Sequence, residues 1–228
     1  MSALARARSF SRGTLDPASI SGLGALSRQD FIPRVIGALA GELEHADGDV
    51  FVHEGDLHVE GDFFVADEGV LLLVVQGDLI VEGAYNDSDD PRTIVIVTGS
   101  LRARDVVTAG FLEVHGDVQV QGAVLGDYND CSAWIGGNLS CALFYAEEHF
   151  FTVGGALHAT QALGDPRHRV RGAKSAPGIA LHDPQVLEVL DRELLRVVDH
   201  GDELEIDGIA DYRAMKQRVL RGLPLRTA

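Results

Sequence analysis

Between residues 51 and 163 apolar and polar positions alternate in short bursts, and the bursts recur. "HEGDLHVEGDF" (53–63) returns as "VQGDLIVEGAY" (75–85), then more loosely as "VTGSLRARDVV", "VHGDVQVQGAV", "IGGNLSCALFY" and "VGGALHATQAL". Each copy centres on a glycine, at Gly55, Gly77, Gly99, Gly116, Gly137 and Gly155, with spacings of 22, 22, 17, 21 and 18. Two positions after it stand Leu57, Leu79, Leu101, Val118, Leu139 and Leu157; two before it stand His53, Val75, Val97, Val114, Ile135 and Val153. Four before it stand Phe51, Leu73, Val95, Leu112, Ala133 and Phe151. Period two on both sides of the glycine marks two strands with one buried face each, meeting at the glycine.

Strands of about five residues cannot each enclose a core, but stacked copies bury like residues on like. Units of 17–22 residues are too short for a helical pair, so the pattern predicts an all-β core over 49–165. It is expected to be a parallel β-solenoid of about six coils, roughly 25–30 Å long at ~4.8 Å per strand. Glycine suits the corner because it bends the chain without a Cβ clash, through positive φ if required.

The flanks change period. Ile32, Val35, Ile36, Leu39, Ala40 and Leu43 fall at helical spacing and predict a helical N-terminal cap over 28–48. Asp183 and Pro184 make an N-cap and first-turn pair before Leu187, Leu190, Leu194 and Val198. Ile209, Tyr212, Met215 and Val219 give a second C-terminal helix, stopped by Gly222 and Pro224, so that 184–228 reads as two helices closing the far end. Residues 166–183 lack a period and read as a linker; residues 1–27, rich in Ser, Ala, Gly and Arg, read as a disordered tail.

Charge sharpens this division. The formal charge of -16 sits on the repeat: residues 53–165 hold nineteen Asp or Glu and three Lys or Arg, whereas the two flanks are nearly neutral. Lengths beyond the shortest coil are inserted mostly between one coil and the next, in "ADEG", "NDSDDPRT", "GDYND", "EEH" and "GDPR". Asn, Asp and Gly there are turn formers. Loops of varied length on a rigid scaffold also concentrate function, and these predict an acidic ridge. Its candidate binding residues are Asp87, Asp89, Asp90, Asp127, Tyr128, Asp130, Glu147, Glu148 and His149. A surface for a basic protein fits this chemistry; "NDSDD" offers carboxylates to calcium but lacks the glycine-centred spacing of a calcium loop.

Other chemistry finds less support. The chain has no GxGxxG, P-loop, GxSxG or HExxH, so no cofactor is expected, and no nucleic-acid motif stands out. His53, His58, His115 and His158 share no outward slot for a metal ladder. Ridge carboxylates supply the raw material of a carbohydrate-active enzyme, but long substrate loops are missing. Cys131 and Cys141 are the only cysteines, and Cys141 occupies a core slot, as a reduced thiol would. "MSALARARSFSRG" lacks an apolar h-region and "GVLLLVVQGDLIV" is too short to span a bilayer, so a cytoplasmic protein without a membrane span is expected.

The "GDLxVxG" phrases make residues 51–163 resemble the bactofilins, bacterial polymer-forming cytoskeletal proteins whose cores are right-handed parallel β-solenoids. That resemblance implies self-association into filaments without a nucleotide. Two departures from it are the irregular repeat lengths and the flanking segments with helical spacing, which would hinder open-ended stacking. The sequence therefore predicts a non-enzymatic scaffold that contacts itself as a homo-oligomer, with a soluble acidic binding module, immunity-like or DNA-mimic-like, as the alternative.

Overall fold

The computed structural model describes Leu4 and residues 8–10, 26–29, 49–90, 92–127, 130–164, 170–172, 178–199 and 204–226. Strand β1 (Arg8–Phe10) comes first, and the first coil then runs β2 (Asp49–Glu54), β3 (Leu57–Val59) and β4 (Phe63–Phe64). Later coils repeat these three stations and pair in parallel with the coil before, giving a β-solenoid of about six coils.

The first face extends β2 through Val70–Gln76, Ile94–Val97, Phe111–Val114, Ser132–Ile135 and Phe150–Val153 to Val170–Gly172. The second continues β3, and the third continues β4 through Ala84–Asn86, Asp105–Thr108 and Ala123–Gly126 into the ends of Leu139–Tyr145 and Leu157–Leu163. The segment expected to be a linker therefore adds rungs: Val170–Gly172 pairs with Phe150–Val153, and Gly178–Ile179 pairs with the end of Leu157–Leu163.

The columns expected from the alternation are present. Leu57, Leu79, Leu101, Val118, Leu139 and Leu157 stack in register, each at most 3% exposed. Phe51, Leu73, Val95, Leu112, Ala133 and Phe151 also stack in register on the first face, all buried except the half-buried Phe51 of the first coil. The glycine corner works by close approach as much as by backbone angle. A Cβ on Gly77 would lie 2.4 Å from the carbonyl carbon of Gly55; positive φ occurs in this column only at Gly55, in the first coil.

The third strand escapes the alternation because both its sides are apolar, as buried strands are. Tyr85, Val106, Val124 and Phe144 point into the coil, while Ala84, Val107, Leu125, Tyr145 and Leu163 point outward under the C-terminal segment. Val186, Leu190, Leu194, Ile206, Met215 and Val219 complete this second apolar layer. Burying such a side chain is worth about 1.5–3 kcal/mol, so the segment adheres along the flank of the rod.

Its local structure differs from the two predicted helices. Pro184–Glu188 and Arg192–Leu194 are short 3-10 turns, and Leu195–Asp199 forms an antiparallel hairpin with Leu204–Ile209. Adjacent β-branched Val197 and Val198 favour a strand, which the partner strand then fixes. One helix remains, α1 (Tyr212–Leu220), starting after Asp211, whose side chain accepts from the Ala214 N–H at 2.8 Å. Ile209 belongs to the hairpin.

The N-terminal cap also differs. Most of the expected helix over 28–48 lies outside the described residues, and no such helix is shown. Part of the expected disordered tail is instead ordered: β1 runs antiparallel on β2 (Arg8↔Val52, Phe10↔Val50), and Leu4 is 2% exposed within the solenoid core.

Candidate functional site

The repeat's acids divide into two populations. At the first corner each coil but the last offers a short acceptor one position after the glycine. Asp56 Oδ1 accepts from Asp78 N–H (2.8 Å), Asp78 Oδ1 from Ser100 N–H (2.7 Å) and Ser100 Oγ from Asp117 N–H (3.2 Å). Asp117 Oδ1 then accepts from Asn138 N–H (2.7 Å), and Asn138 Oδ1 from Ala156 N–H (2.9 Å). At the second corner Asp62 and Asp105 accept from Ala84 and Ala123 N–H, both at 2.8 Å. These aspartates are rungs of the fold, satisfying main-chain donors where the chain turns out of the sheet.

The third corner is the predicted ridge. Asp87 is 1% exposed. Its Oδ1 accepts from Ala109 N–H (2.6 Å) and Gly110 N–H (2.7 Å), and its Oδ2 from the hydroxyls of Tyr85 and Thr108, both at 2.9 Å. Burial raises the Asp87 carboxyl above its ordinary value and the four donors pull it back. A carboxylate enclosed this way offers nothing to a partner. Asp89 and Asp90 are exposed beyond it, on a turn in which Thr93 Oγ1 donates to Ser88 O (2.9 Å). The Arg92 guanidinium lies over the Phe111 ring, 5.8 Å from its centroid.

Further along, Asp127 is half-buried and receives Lys216 Nζ of α1 at 2.5 Å; Tyr128 lies outside the described residues. Asp130 is exposed, and the charges of Asp89, Asp130 and Arg92 all act on Cys131, which places them around one point. Burial pushes the thiols of Cys131 and Cys141 up to about 11 and about 12, so both stay protonated. Glu147 is half-buried with φ 47, Glu148 is exposed, and both charges act on Tyr145. His149 is fully buried, edge-on to Phe151 at 5.3 Å between centroids, and neither ring nitrogen has a hydrogen-bond partner. The ridge thus keeps Asp89, Asp90, Asp130, Glu147 and Glu148 at the surface, loses Asp87 and His149 to the interior, and gives Asp127 to the C-terminal helix.

No family model, curated protein or solved structure matches this chain. Among the described residues no group of three or more His, Cys, Asp or Glu is placed to hold a metal ion, and no helix is long and apolar enough to cross a membrane.

Two anchoring residues were missed. Glu113, 1% exposed on the first face, accepts from Ser27 Oγ and Arg28 N–H, both at 2.6 Å, and from Gln29 Nε2 at 3.2 Å, with His115 Nε2 at 2.8 Å. The signal was one carboxylate in "FLEV", in register with Ile96. Arg104 stands in the second-corner column otherwise occupied by Gly61, Gly83 and Gly122. Its Nη2 donates to the Leu220 carbonyl at 2.9 Å, at the C-terminal end of α1, and its Nε to Asp105 Oδ2 at 2.7 Å. A break in a glycine column is legible in sequence.

Proposed function

We propose that this chain is a non-enzymatic scaffold, a rigid β-solenoid that presents an acidic corner to a basic protein. The division of the acids carries this reading. Six aspartates (Asp56, Asp62, Asp78, Asp87, Asp105 and Asp117) serve main-chain donors of the next coil, so they need no partner to explain them. Asp89, Asp90, Asp130 and Glu148 remain exposed at one corner, with Arg92 among them. Clustered exposed charge accelerates and orients encounter with an oppositely charged surface.

The reading is tested by replacing Asp89, Asp90, Asp130 and Glu148 with Asn or Gln and measuring capture on immobilised polylysine. A control neutralises four acids elsewhere, Glu54, Glu60, Glu82 and Glu188. Wild-type binding is expected to fall with salt, since exposed charges are screened beyond about 8 Å at physiological ionic strength. It is expected to fall more for the corner variant than for the control. Equal losses overturn the assignment to this corner.

Self-association at the rod ends is the second reading, and the bactofilin-like phrases belong with it. It is favoured by the outer edges of β3 and β4, which end their sheet path. Against stacking at this end, β1 lies antiparallel on β2 and Leu4 fills the core beside it. Light scattering across a concentration series separates the readings: growing particles support stacking, a constant mass supports the acidic scaffold.

A further inference from the structure

Three contacts fasten α1 to the solenoid, and two of them converge on one corner. Tyr212 OH donates to the Gly126 carbonyl, Lys216 Nζ reaches Asp127 Oδ2 at 2.5 Å, and Arg104 holds the far end. The Tyr212 ring also meets Tyr145 edge-on, 6.1 Å between centroids. Directly beneath this seat lies His149. A Cβ built on Gly126 would fall 2.6 Å from the His149 Cβ and 2.3 Å from the Ala146 carbonyl oxygen, so the His149 turn packs directly against the residue whose carbonyl receives Tyr212.

The wedge is chemically poised. His149 is closed off from solvent: it is 0% exposed, neither ring nitrogen makes a well-formed hydrogen bond, the Asp127 main chain is its polar neighbour, and Phe151 meets it edge-on. It follows Glu147, a non-glycine residue at φ 47, in a turn closed by His149 N–H donating to the Ala146 carbonyl at 2.9 Å. Non-glycine residues in the left-handed region cost about 1–3 kcal/mol and persist where surrounding packing imposes them. Asp127 acts on the ring; Glu147 and Glu148 belong to its own turn and act on Tyr145, the Tyr145 and Tyr212 phenols meet at the same corner, and Lys216 of α1 reaches Asp127. Of these, Asp127 is the charge that favours an imidazolium, and it is already engaged by Lys216. The Asp127 main chain and carboxylate favour a cation here, but the loss of hydration outweighs both, so a charged ring gains by opening the corner to water.

We propose that the His149 corner is an acid-sensitive latch: protonating the imidazole opens the turn against Gly126 and Asp127 and frees α1 from the third face while the coils stay folded. Release uncovers the outward Ala84 and Val107, part of the apolar stripe that the C-terminal segment otherwise covers.

Hydrogen exchange of the full chain tests this from pH 8 to pH 4.5, corrected for intrinsic rates, in wild type and His149→Leu. Burial lowers the imidazole from 6.5 to about 4, so opening at pH 5 is favoured about thirty-fold over pH 8. Amides of 212–220 are expected to exchange about thirty-fold faster at pH 5 in wild type, with 94–97 unchanged, and to show no such rise in His149→Leu. Equal acceleration in both proteins, or parallel acceleration at 94–97, overturns the latch. Should the variant fail to fold, the imidazole resonances of wild type decide. Titration of His149 accompanied by faster exchange in α1 supports the proposal, and titration without it refutes the proposal.

Discussion

The sharpest test of how the fold uses its acids is Asp87→Ala. The substitution removes the acceptor for two main-chain donors, Ala109 and Gly110 N–H, in a place where Asp87, Thr108 and Tyr85 are all at most 1% exposed. Each stranded N–H costs about 1–3 kcal/mol, while the Tyr85 and Thr108 hydroxyls rotate toward other acceptors at smaller cost. The sum is about 2–6 kcal/mol. For a chain of this size 1 kcal/mol moves the midpoint by about 2–4 °C, so thermal unfolding is expected roughly 10 °C lower. Asp87→Asn keeps one oxygen for the two amides and turns its NH2 toward the hydroxyl oxygens, so it is expected to lose no more than about 2 kcal/mol. Asp89→Ala and Asp90→Ala, at exposed positions, are expected within about 0.5 kcal/mol of wild type. The assay is circular dichroism melting of all four variants in one buffer. An Asp87→Ala midpoint equal to that of Asp89→Ala would falsify the division of acids on which the functional proposal stands.

Leu101→Asp places a charge in a fully buried column and is expected to cost several kcal/mol and unfold the rod in one transition, read by chemical denaturation. Ending the chain before Asp183 strips the outward third face, so the truncated protein is expected to bind a hydrophobic dye and to self-associate more than the full-length protein; dye fluorescence and light scattering read the difference. Acid should loosen the His149 corner in a defined window: its closed-state value lies below the ordinary one, so the closed corner is fully favoured above 6.5 and that preference is lost as pH falls toward about 4, by up to about 3 kcal/mol, a slope that His149→Leu should remove from α1 exchange taken at each pH. Arg104→Gly restores the glycine column but frees the Leu220 carbonyl, and is expected to leave the coils intact while loosening α1 in hydrogen exchange.

The solenoid was legible because stacking forces like residues into like positions: Leu101 and Val95 could be placed in their columns from spacing alone. The third strand was not, since Val106–Val107 and Val124–Leu125 are apolar on both sides and carry no period. Helical spacing misled from Leu187 to Val198: Leu187 and Leu194 sit in short 3-10 turns, and at Val198 long-range pairing with 204–209 decided the backbone. The ridge was half legible. Composition and loop length found the corner, but whether a carboxylate faces water or four donors depends on neighbours 21–23 residues away, and Asp87 and Asp89 look alike in a string. The recurring short acceptor after each glycine was visible, and its meaning appears only when one coil lies on another.

That acceptor ladder has a direction. Every rung at the first corner runs from a side chain in an earlier coil to an N–H in the one that follows, and it stops at Ala156, which has no side-chain acceptor to pass on. Synthesis proceeds in the same sense. At about 5–20 residues per second a ribosome releases one coil every one to four seconds, roughly, and each new turn emerges to find its template already made. The chain is thereby suited to vectorial assembly, growing from its N-terminal end like a zipper that closes only one way.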